Sequence, residues 1–370
     1  MTWSTLASQA EIGFGVYVHV PFCHHKCDYC AFATFTDRAH LIDRYLAALH
    51  TEIRQASSDM PEASTIFVGG GTPSLVDAGK LVRLLDAIPR KSDAEFTIEC
   101  NPDDVAIEML TTYRSIGVNR VSLGMQSASP HVLQSLGRTH SPDNVACAVD
   151  AISAAGFTTF NLDVIYGGTG ESLDDWSSTV EQVIALGAPH VSAYGLTVEA
   201  GTALATQPER HPDDDDQADK YDRADDLLVA VGFANYEISN WAKPGHECRH
   251  NAVYWSGGDY AGFGSAAHAH RNGRRWWNVR TPDRFIELIE AGRSAESSFE
   301  QLDDATRALE RLQLQLRTRD GVPVSALDQA DVEEMSELVQ RVSREPFGER
   351  LVLTRAGRLL ANEVSLRLRG

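Results

Sequence analysis

The chain has 370 residues, 43% of them hydrophobic, which is enough for about two domains or for one large barrel with an extension. Its 52 acidic and 33 basic residues give a formal net charge of −19, which argues against a general nucleic-acid-binding protein. No segment is apolar over the ~20 residues of a membrane-spanning helix. The first residues lack the features of a signal peptide, so we expect a cytoplasmic protein with reduced thiols.

Short β-rich runs recur along the chain, and a segment with helical periodicity follows each of them. The predicted strands cover residues 16–22, 65–71, 96–102, 120–127, 159–167 and 190–198. The predicted helices begin after residue 37 and lie near 74–88, 103–116, 142–155, 173–186 and 217–231. Six strand–helix units are too few for a closed eight-stranded barrel. The pattern favours an α/β fold with a partial (β/α)6 TIM-like barrel over a doubly wound sheet, although periodicity alone does not distinguish the two.

The strand–helix alternation ends near residue 235, where a segment rich in glycine, aromatic residues and histidine begins. A basic stretch with two tryptophans follows at 271–280, and helical patterns dominate from residue 282. The run at 348–364 is typical of a strand or hairpin that leads into a helix. We therefore expect an N-terminal tail (1–15), a barrel (16–240), a connecting segment (241–290) and a small, mostly helical C-terminal domain (291–370).

Three of the six cysteines, Cys23, Cys27 and Cys30, form a CxxxCxxC motif directly after the first predicted strand. Clustered reduced thiols are typical of metal or redox sites. Three thiolates can hold three irons of a [4Fe–4S] cluster and leave the fourth iron an open coordination position. A zinc site is the alternative, and it would need His24, His25 or a distant residue as its fourth ligand.

Glycines and polar residues at later strand ends are further candidates for a ligand site. Glycines at 69–71 allow backbone amides to approach a ligand closely, and Glu99 ends the third predicted strand. Each of these residues alone is more often structural, but together at the carboxyl ends of successive strands they favour a shared site.

The segment YVHVPFCHHKCDYCAF at 17–32 resembles the opening of radical S-adenosylmethionine (SAM) enzymes. More narrowly, it is similar to the oxygen-independent coproporphyrinogen III oxidase family, and the resemblance continues in order through most of the chain. It implies that the three cysteines hold a [4Fe–4S] cluster whose unique iron binds the amino and carboxyl groups of SAM. In that superfamily an electron from the cluster cleaves SAM to a 5′-deoxyadenosyl radical.

The same resemblance implies a SAM site in this chain. Its residues would be Tyr17, Gly70, Gly71, Thr72, Glu99, Gln126, Arg138 and Asp163. Arg138 could pair with the SAM carboxylate, and Asp163 could accept hydrogen bonds from ribose hydroxyls. One departure lies at 166–172, where YGGTGES stands in place of the family's YGLPGQT. The loss of the Leu-Pro pair predicts a more flexible loop.

Several features resemble the haem chaperone branch of the family, HemW, more than the decarboxylating oxidases. Phe32 stands where the oxidases carry a fourth cysteine, and the cysteine motif begins at residue 23 without the oxidases' N-terminal extension. His250 and Asn251 begin an HNxxYW segment, which in that branch is associated with haem binding. The resemblance implies His250, or Cys248 nearby, as a ligand to haem iron. A hydrogen-bonded structural histidine is the alternative.

We therefore expect a haem chaperone that binds a [4Fe–4S] cluster, SAM and haem and delivers haem to acceptor proteins, rather than an active coproporphyrinogen III dehydrogenase. The alternatives are an oxygen-independent coproporphyrinogen III oxidase and a radical SAM enzyme with an unrelated substrate. Arg274 or Arg275 could meet haem propionates, although a surface hairpin is the simpler interpretation of 271–280. The sequence identifies neither the haem acceptor nor productive SAM cleavage, and a homodimer is compatible with it.

Overall fold

The computed structural model describes residues 13–344 and 347–368, so most of the expected N-terminal tail lies outside the described residues. Six parallel strands follow one another in the same order in space as in sequence. They are β1 (Phe14–Val20), β2 (Ala63–Gly70), β3 (Arg90–Cys100), β4 (Arg120–Gln126), β5 (Thr159–Tyr166) and β6 (His190–Gly195). They lie where the sequence predicted strands, which confirms the α/β class.

Helices follow these strands and cover the outer face of the sheet. They are α1 (Ile42–Ala56), α2 (Ala78–Leu85), α3 (Ile107–Arg114), α4 (Pro130–Ser135), α5 (Pro142–Ala154), α6 (Leu173–Ala185) and α7 (Asp214–Ala230). Val16 and Val18 of β1 share one apolar cluster with Leu49 and Ile53 of α1. Because side chains alternate along a strand, Tyr17 and His19 point to the opposite, inner face. This alternation fills the barrel interior with polar and aromatic groups.

The chain after α7 extends the sheet at both edges. β7 (Ala234–Glu237) and β8 (Asn240–Ala242) lie antiparallel beside β6. After α8 (Arg249–Trp255), β9 (Tyr260–Phe263) pairs parallel to β1. The antiparallel strands β10 (His268–Arg271), β11 (Arg274–Asn278) and β12 (Glu296–Gln301) continue from there, with α9 (Pro282–Glu290) before β12. In the described residues the outer strands β12 and β7 do not pair, so the barrel is partial, as predicted.

The last part of the described chain has a small apolar cluster of its own, which includes Leu316, Val322, Leu351 and Val364. Its elements are α10 (Asp304–Leu316), β13 (Val322–Pro323), α11 (Gln329–Glu334), β14 (Val339–Arg344), β15 (Gly348–Leu353), α12 (Arg355–Leu359) and α13 (Ala361–Arg367). β13, β15 and β14 form a separate sheet in that order. A β-hairpin thus precedes the last helices, as the run at 348–364 predicted.

The predicted domain boundaries stay predictions, and β12 carries the pairing of the large sheet past residue 290. The basic stretch at 271–280 forms the β10–β11 hairpin. In it, Arg274 pairs with Glu296, and Arg275 pairs with Glu300 and Glu310. Short 3₁₀ helices occur at Ala39–Leu41, Pro73–Leu75, Pro102–Asp104, Leu204–Thr206, Pro208–Arg210 and Val324–Ala326. None of the described helices is both long and apolar enough to span a membrane.

Candidate functional site

A cavity of about 470 Å³ opens at the carboxyl ends of the parallel strands. Most of the residues predicted for the cluster and for SAM line it: Cys23, Cys27, Cys30, Gly70, Gly71, Thr72, Glu99, Gln126, Arg138 and Asp163. Ligand sites of βα barrels lie at this end because the strand ends and following loops converge there. The structure therefore brings together residues that are up to 140 positions apart in the sequence.

The three cysteines are free thiols on one half-buried loop between β1 and the segment at 33–35. The loop is anchored by the amide of Cys23, which donates to the carbonyl of Phe35 at 3.2 Å. The Thr72 hydroxyl donates to Cys23 Sγ at 3.5 Å, and Arg138 Nη1 donates to Cys27 Sγ at 3.6 Å. Burial raises the pKa of the Cys23 thiol, and this effect outweighs the hydrogen bond from Thr72.

Three thiol sulfurs with neighbouring hydrogen-bond donors are a donor set that fits an iron–sulfur cluster, because such clusters take thiolate ligands and are tuned by hydrogen bonds to sulfur. Across residues 13–344 and 347–368, no group of three or more His, Cys, Asp or Glu side chains is arranged to hold a metal ion. The fit to a cluster therefore rests on the kind and position of the sulfur donors.

The glycine segment after β2 lies against the cysteine loop. The amide of Thr72 donates to the carbonyl of Phe22 at 2.8 Å. A Cβ atom at Gly71 would stand 2.6 Å from the same carbonyl oxygen, and one at Gly70 would collide with the His19 ring. Gly70 also has a φ of 111°, which favours glycine. Close packing against His19 and the Phe22 carbonyl thus requires glycine at these two positions.

Two half-buried carboxyl groups, those of Glu99 and Asp163, line the cavity. Glu99 accepts a hydrogen bond from the Gly70 amide at 3.0 Å. Burial, and secondly the charge of Asp163, raise the pKa of Glu99 to about 8. Asp163 accepts hydrogen bonds from Ser122 Oγ at 2.9 Å and from Asn161 Nδ2 at 2.8 Å, and burial raises its pKa too. Perturbed carboxyl groups in a cleft are typical of functional sites and suit ligands with amino or hydroxyl groups.

Gln126 and Arg138 complete the wall of the cavity. Gln126 has a φ of 64°, an uncommon value for a residue other than glycine, at the end of β4. The Arg138 guanidinium donates to Asn101 Oδ1 at 2.8 Å and to the carbonyl of Gly124 at 3.3 Å. The predicted pairing of Arg138 with a ligand carboxylate stays a prediction, since its nitrogens also bind these protein oxygens.

Tyr17 lies deeper in the barrel than the cavity lining. Its hydroxyl forms a hydrogen bond with Nδ1 of His19 at 3.0 Å, and its ring stacks on Phe67 with ring centroids 6.4 Å apart. Burial raises its pKa well above the ordinary value. Tyr17, which was predicted for the SAM site, does not line the cavity.

His250 lies near the amino ends of the strands, away from the cavity. Its side chain is 1% exposed. Its Nδ1 bonds Thr65 Oγ1 at 2.9 Å, and its Nε2 bonds the Tyr254 hydroxyl at 2.8 Å. The His250 amide donates to Glu95 Oε1 at 2.9 Å, and the buried Cys248 thiol donates to the same oxygen at 3.6 Å. Burial lowers the pKa of His250 to about 3. Haem ligation by His250 or Cys248 thus stays a prediction, and the structure does not bring either residue to the cavity.

The loop at 166–172, predicted to be more flexible, is held by a buried lysine. The Gly167 amide donates to Glu171 Oε2 at 2.7 Å. Lys220 Nζ of α7 donates to the Glu171 carbonyl at 2.8 Å and to Asp216 Oδ2 at 2.6 Å. The contact of Lys220 with Glu171 could not be predicted from the sequence, because the two residues are distant in the chain and the i,i+4 spacing of Lys220 to Asp216 resembles a surface pair.

Comparison with known proteins places this site in a family. The family profile described as Radical SAM superfamily matches residues 17–183. The protein named Heme chaperone HemW of Mycobacterium tuberculosis is 44% identical over 96% of this chain and 95% of its own. HemW of Escherichia coli is 37% identical over 80% of this chain and 82% of its own, and HemW of Bacillus subtilis is 33% identical over 94% and 97%.

A solved structure shares the fold. The coproporphyrinogen III oxidase HemN of Escherichia coli, described as a radical SAM enzyme, superimposes with a TM-score of 0.82 at 21% identity. The superposition covers 96% of this chain and 89% of that chain. Three near-full-length relatives at 33–44% identity show the family, and the shared fold agrees with it. The chain belongs to the radical SAM superfamily and, within its HemN-like family, to the HemW branch.

Proposed function

We propose that this protein is a haem chaperone of the cytoplasm that binds a [4Fe–4S] cluster, SAM and haem and delivers haem to acceptor proteins. The observation that carries the proposal is that the three cysteine thiols and the polar residues at the strand ends line the same cavity. It occurs in a chain that is 44% identical over 96% of its length to a protein named Heme chaperone HemW.

The cluster would be held by Cys23, Cys27 and Cys30, with the Thr72 hydroxyl and the Arg138 guanidinium beside two of the sulfurs. The cluster, when bound, supplies an electron to SAM.

The SAM site would use the backbone of Gly70 and Gly71, which line the cavity next to the cysteine loop. Glu99 and Asp163 would accept hydrogen bonds from amino and hydroxyl groups of SAM, since both carboxyl groups line the same cavity. Gln126 would contribute its amide from the end of β4.

A coproporphyrinogen III oxidase is the second candidate, because the fold matches that of HemN with a TM-score of 0.82. The residue Phe32 argues against the oxidase. Its side chain is 69% exposed and lines the mouth of the cavity, at the position that would carry the fourth cysteine of the oxidases. An exposed aromatic ring at the mouth offers a flat apolar surface to a porphyrin.

Anaerobic reconstitution followed by three assays tests the proposal: iron and sulfide content, SAM binding, and haem binding from the Soret band. We expect all three components to bind and no catalytic formation of vinyl groups from coproporphyrinogen III. Turnover to protoporphyrinogen would contradict the chaperone function and support the oxidase.

Cys27→Ser tests the ligand assignment, and we expect it to lose most of the iron and sulfide. Cys147→Ser is the matched control because Cys147 is exposed and does not line the cavity. Equal cluster content in the two variants would overturn the assignment.

A further inference from the structure

A column of stacked rings runs through the inside of the barrel, and we define it as His250, Phe67, Tyr17 and His19. The rings of His250 and Phe67 are 5.3 Å apart at an interplanar angle of 28°. Phe67 in turn stacks on Tyr17 with an angle of 25°. Tyr17 bonds Nδ1 of His19, and Nε2 of His19 bonds the carbonyl of Ala33 at 3.1 Å, three residues after Cys30. The ring column therefore connects the HNxxYW helix, α8, with the cysteine loop.

The His250 end of the ring column is closed. Both ring nitrogens of His250 have hydrogen-bond partners, Thr65 and Tyr254, and the side chain is 1% exposed. An imidazole that ligates haem iron needs one nitrogen free for the metal and a face open to the porphyrin. The ring faces of His250 pack instead against Phe67 and, edge to face, against Tyr254.

The other end of the ring column meets the residues proposed for SAM. Phe67 lies on β2, whose end carries Gly69–Gly71, and a Cβ atom at Gly69 would stand 2.9 Å from the Phe67 ring. His19 packs so closely on Gly70 that no Cβ atom fits between them. The ring column thus supports both the glycine segment and the loop that carries the cysteines.

We infer that His250 is a positioning residue, which holds the glycine segment and the cysteine loop in place through Phe67, Tyr17 and His19, and that it is not a ligand to haem iron. Close-packed interiors transmit a change of volume to their neighbours, so removal of the His250 ring lets Phe67 shift along the barrel axis. The inference rests on the proposed function, because its readout is the binding of SAM and haem.

The test compares His250→Ala and Phe67→Leu with the unchanged protein, each with a reconstituted cluster. Measurements are the dissociation constant of SAM, the change that SAM causes in the electron paramagnetic resonance spectrum of the reduced cluster, and a haem titration at the Soret band. We expect both variants to bind SAM about three- to tenfold more weakly and to show a smaller spectral change. We expect the Soret maximum and the haem affinity of His250→Ala to stay as in the unchanged protein.

Phe96→Leu is the matched control. Phe96 pairs with Ile66 on the outer face of the sheet, whereas Phe67 pairs with Thr97 on the inner face. The same substitution therefore removes a ring of equal size without touching the ring column, and SAM binding should not change. His250→Gln keeps a side chain that can bond Thr65 or Tyr254, so it tests the ring separately if His250→Ala does not fold.

Two results would overturn the inference. One is a shifted Soret band or lost haem binding in His250→Ala with normal SAM binding, which would make His250 a haem ligand. The other is unchanged SAM binding in both His250→Gln and Phe67→Leu. If the protein without substitutions binds neither SAM nor haem, the proposed function itself is overturned.

Discussion

At the residue scale, the raised pKa of Glu99 in the candidate site lowers the stability of the folded protein at neutral and higher pH. Burial and the charge of Asp163 raise its pKa from 4.5 to about 8. The folded state therefore keeps a proton that the unfolded chain has lost. Its free energy of unfolding falls as the pH rises from 4.5 to about 8, by at most about 1.4 kcal/mol per pH unit.

We expect Glu99→Gln to raise the melting temperature more at pH 8 than at pH 5, because glutamine has no charge to bury, and to weaken SAM binding. Thermal unfolding at the two pH values measures the first effect. Glu108→Gln, an exposed substitution on α3, is the control. A gain of the same size at both pH values would show that Glu99 does not titrate in this range.

Thr72 provides a second residue-scale prediction, which depends on the proposed cluster. Its hydroxyl donates to Cys23 Sγ, and hydrogen bonds to a ligand sulfur make a cluster easier to reduce. We expect Thr72→Val to lower the reduction potential of the reconstituted cluster, whereas Thr72→Ser keeps the hydroxyl and the potential. A redox titration followed by electron paramagnetic resonance distinguishes the two variants, and equal potentials would exclude this role.

The residue pattern together with the family resemblance named ten residues that line the cavity, but it also named Tyr17, which does not. Cys23 follows the first predicted strand, Glu99 lies near the end of the third and Asp163 lies within the fifth, and parallel strands direct their carboxyl ends to one side. The surroundings of His250 could not be predicted in this way. Its partners Thr65 and Tyr254 depend on where α8 packs, and packing is a property of the whole barrel.

At the scale of elements, the loop at 166–172 depends on a buried ion pair. Lys220 Nζ lies 3.3 Å from Glu171 Oε2, and both side chains are completely buried. Lys220→Met leaves the Glu171 carboxyl group buried without its cation, so we expect a loss of roughly 3–5 kcal/mol in the free energy of unfolding. Urea unfolding of the two proteins measures this loss of stability.

The double variant Lys220→Met with Glu171→Gln removes both charges and should recover part of the loss. Limited proteolysis reports on the loop itself, and we expect cleavage near 167–172 in Lys220→Met but not in the double variant. A double variant no more stable than Lys220→Met would mean that the lysine acts through its bond to Asp216 instead.

The sheet extension shows which elements local patterns do not reveal. The strands β1 to β6 were predicted from their β-rich runs. The strand β9 is only four residues long, YAGF, and two of these residues, alanine and glycine, are uncommon in strands. Its partner β1 lies more than two hundred residues earlier in the chain. Hydrophobic periodicity reports on neighbouring residues, so it cannot indicate a pairing between distant segments.

At the scale of the whole molecule, Asp225 of α7 joins the barrel to the C-terminal part. It accepts hydrogen bonds from Trp241 Nε1 at 2.8 Å and from Arg358 Nη2 at 3.0 Å, and it pairs with Arg355 Nη2 at 2.7 Å. Asp225 is 4% exposed, whereas the arginines are more accessible. This contact therefore connects the buried carboxylate of Asp225 on α7 to two arginine side chains of α12.

We expect Asp225→Asn to lower the free energy of unfolding by about 2 kcal/mol, since the two arginines lose their shared anion. Hydrogen exchange should become faster in α12 and α13 and stay unchanged in β1–β6. Asp226→Asn is the control, because Asp226 also pairs with Arg355 but is largely exposed. Equal effects of the two substitutions would show that the buried position of Asp225 is unimportant.

The parallel pairing of β1 with β9 has a consequence for biosynthesis. One edge of β1 stays unpaired on the ribosome until residues 260–263 have emerged, which at about 5–20 residues per second takes roughly 12–50 s after β1 is made. The cysteine loop directly follows β1, so during that time its three thiols lie next to a strand that is only partly paired. For the proposed cluster, this topology therefore favours delivery of iron and sulfide to the finished chain rather than to the nascent one.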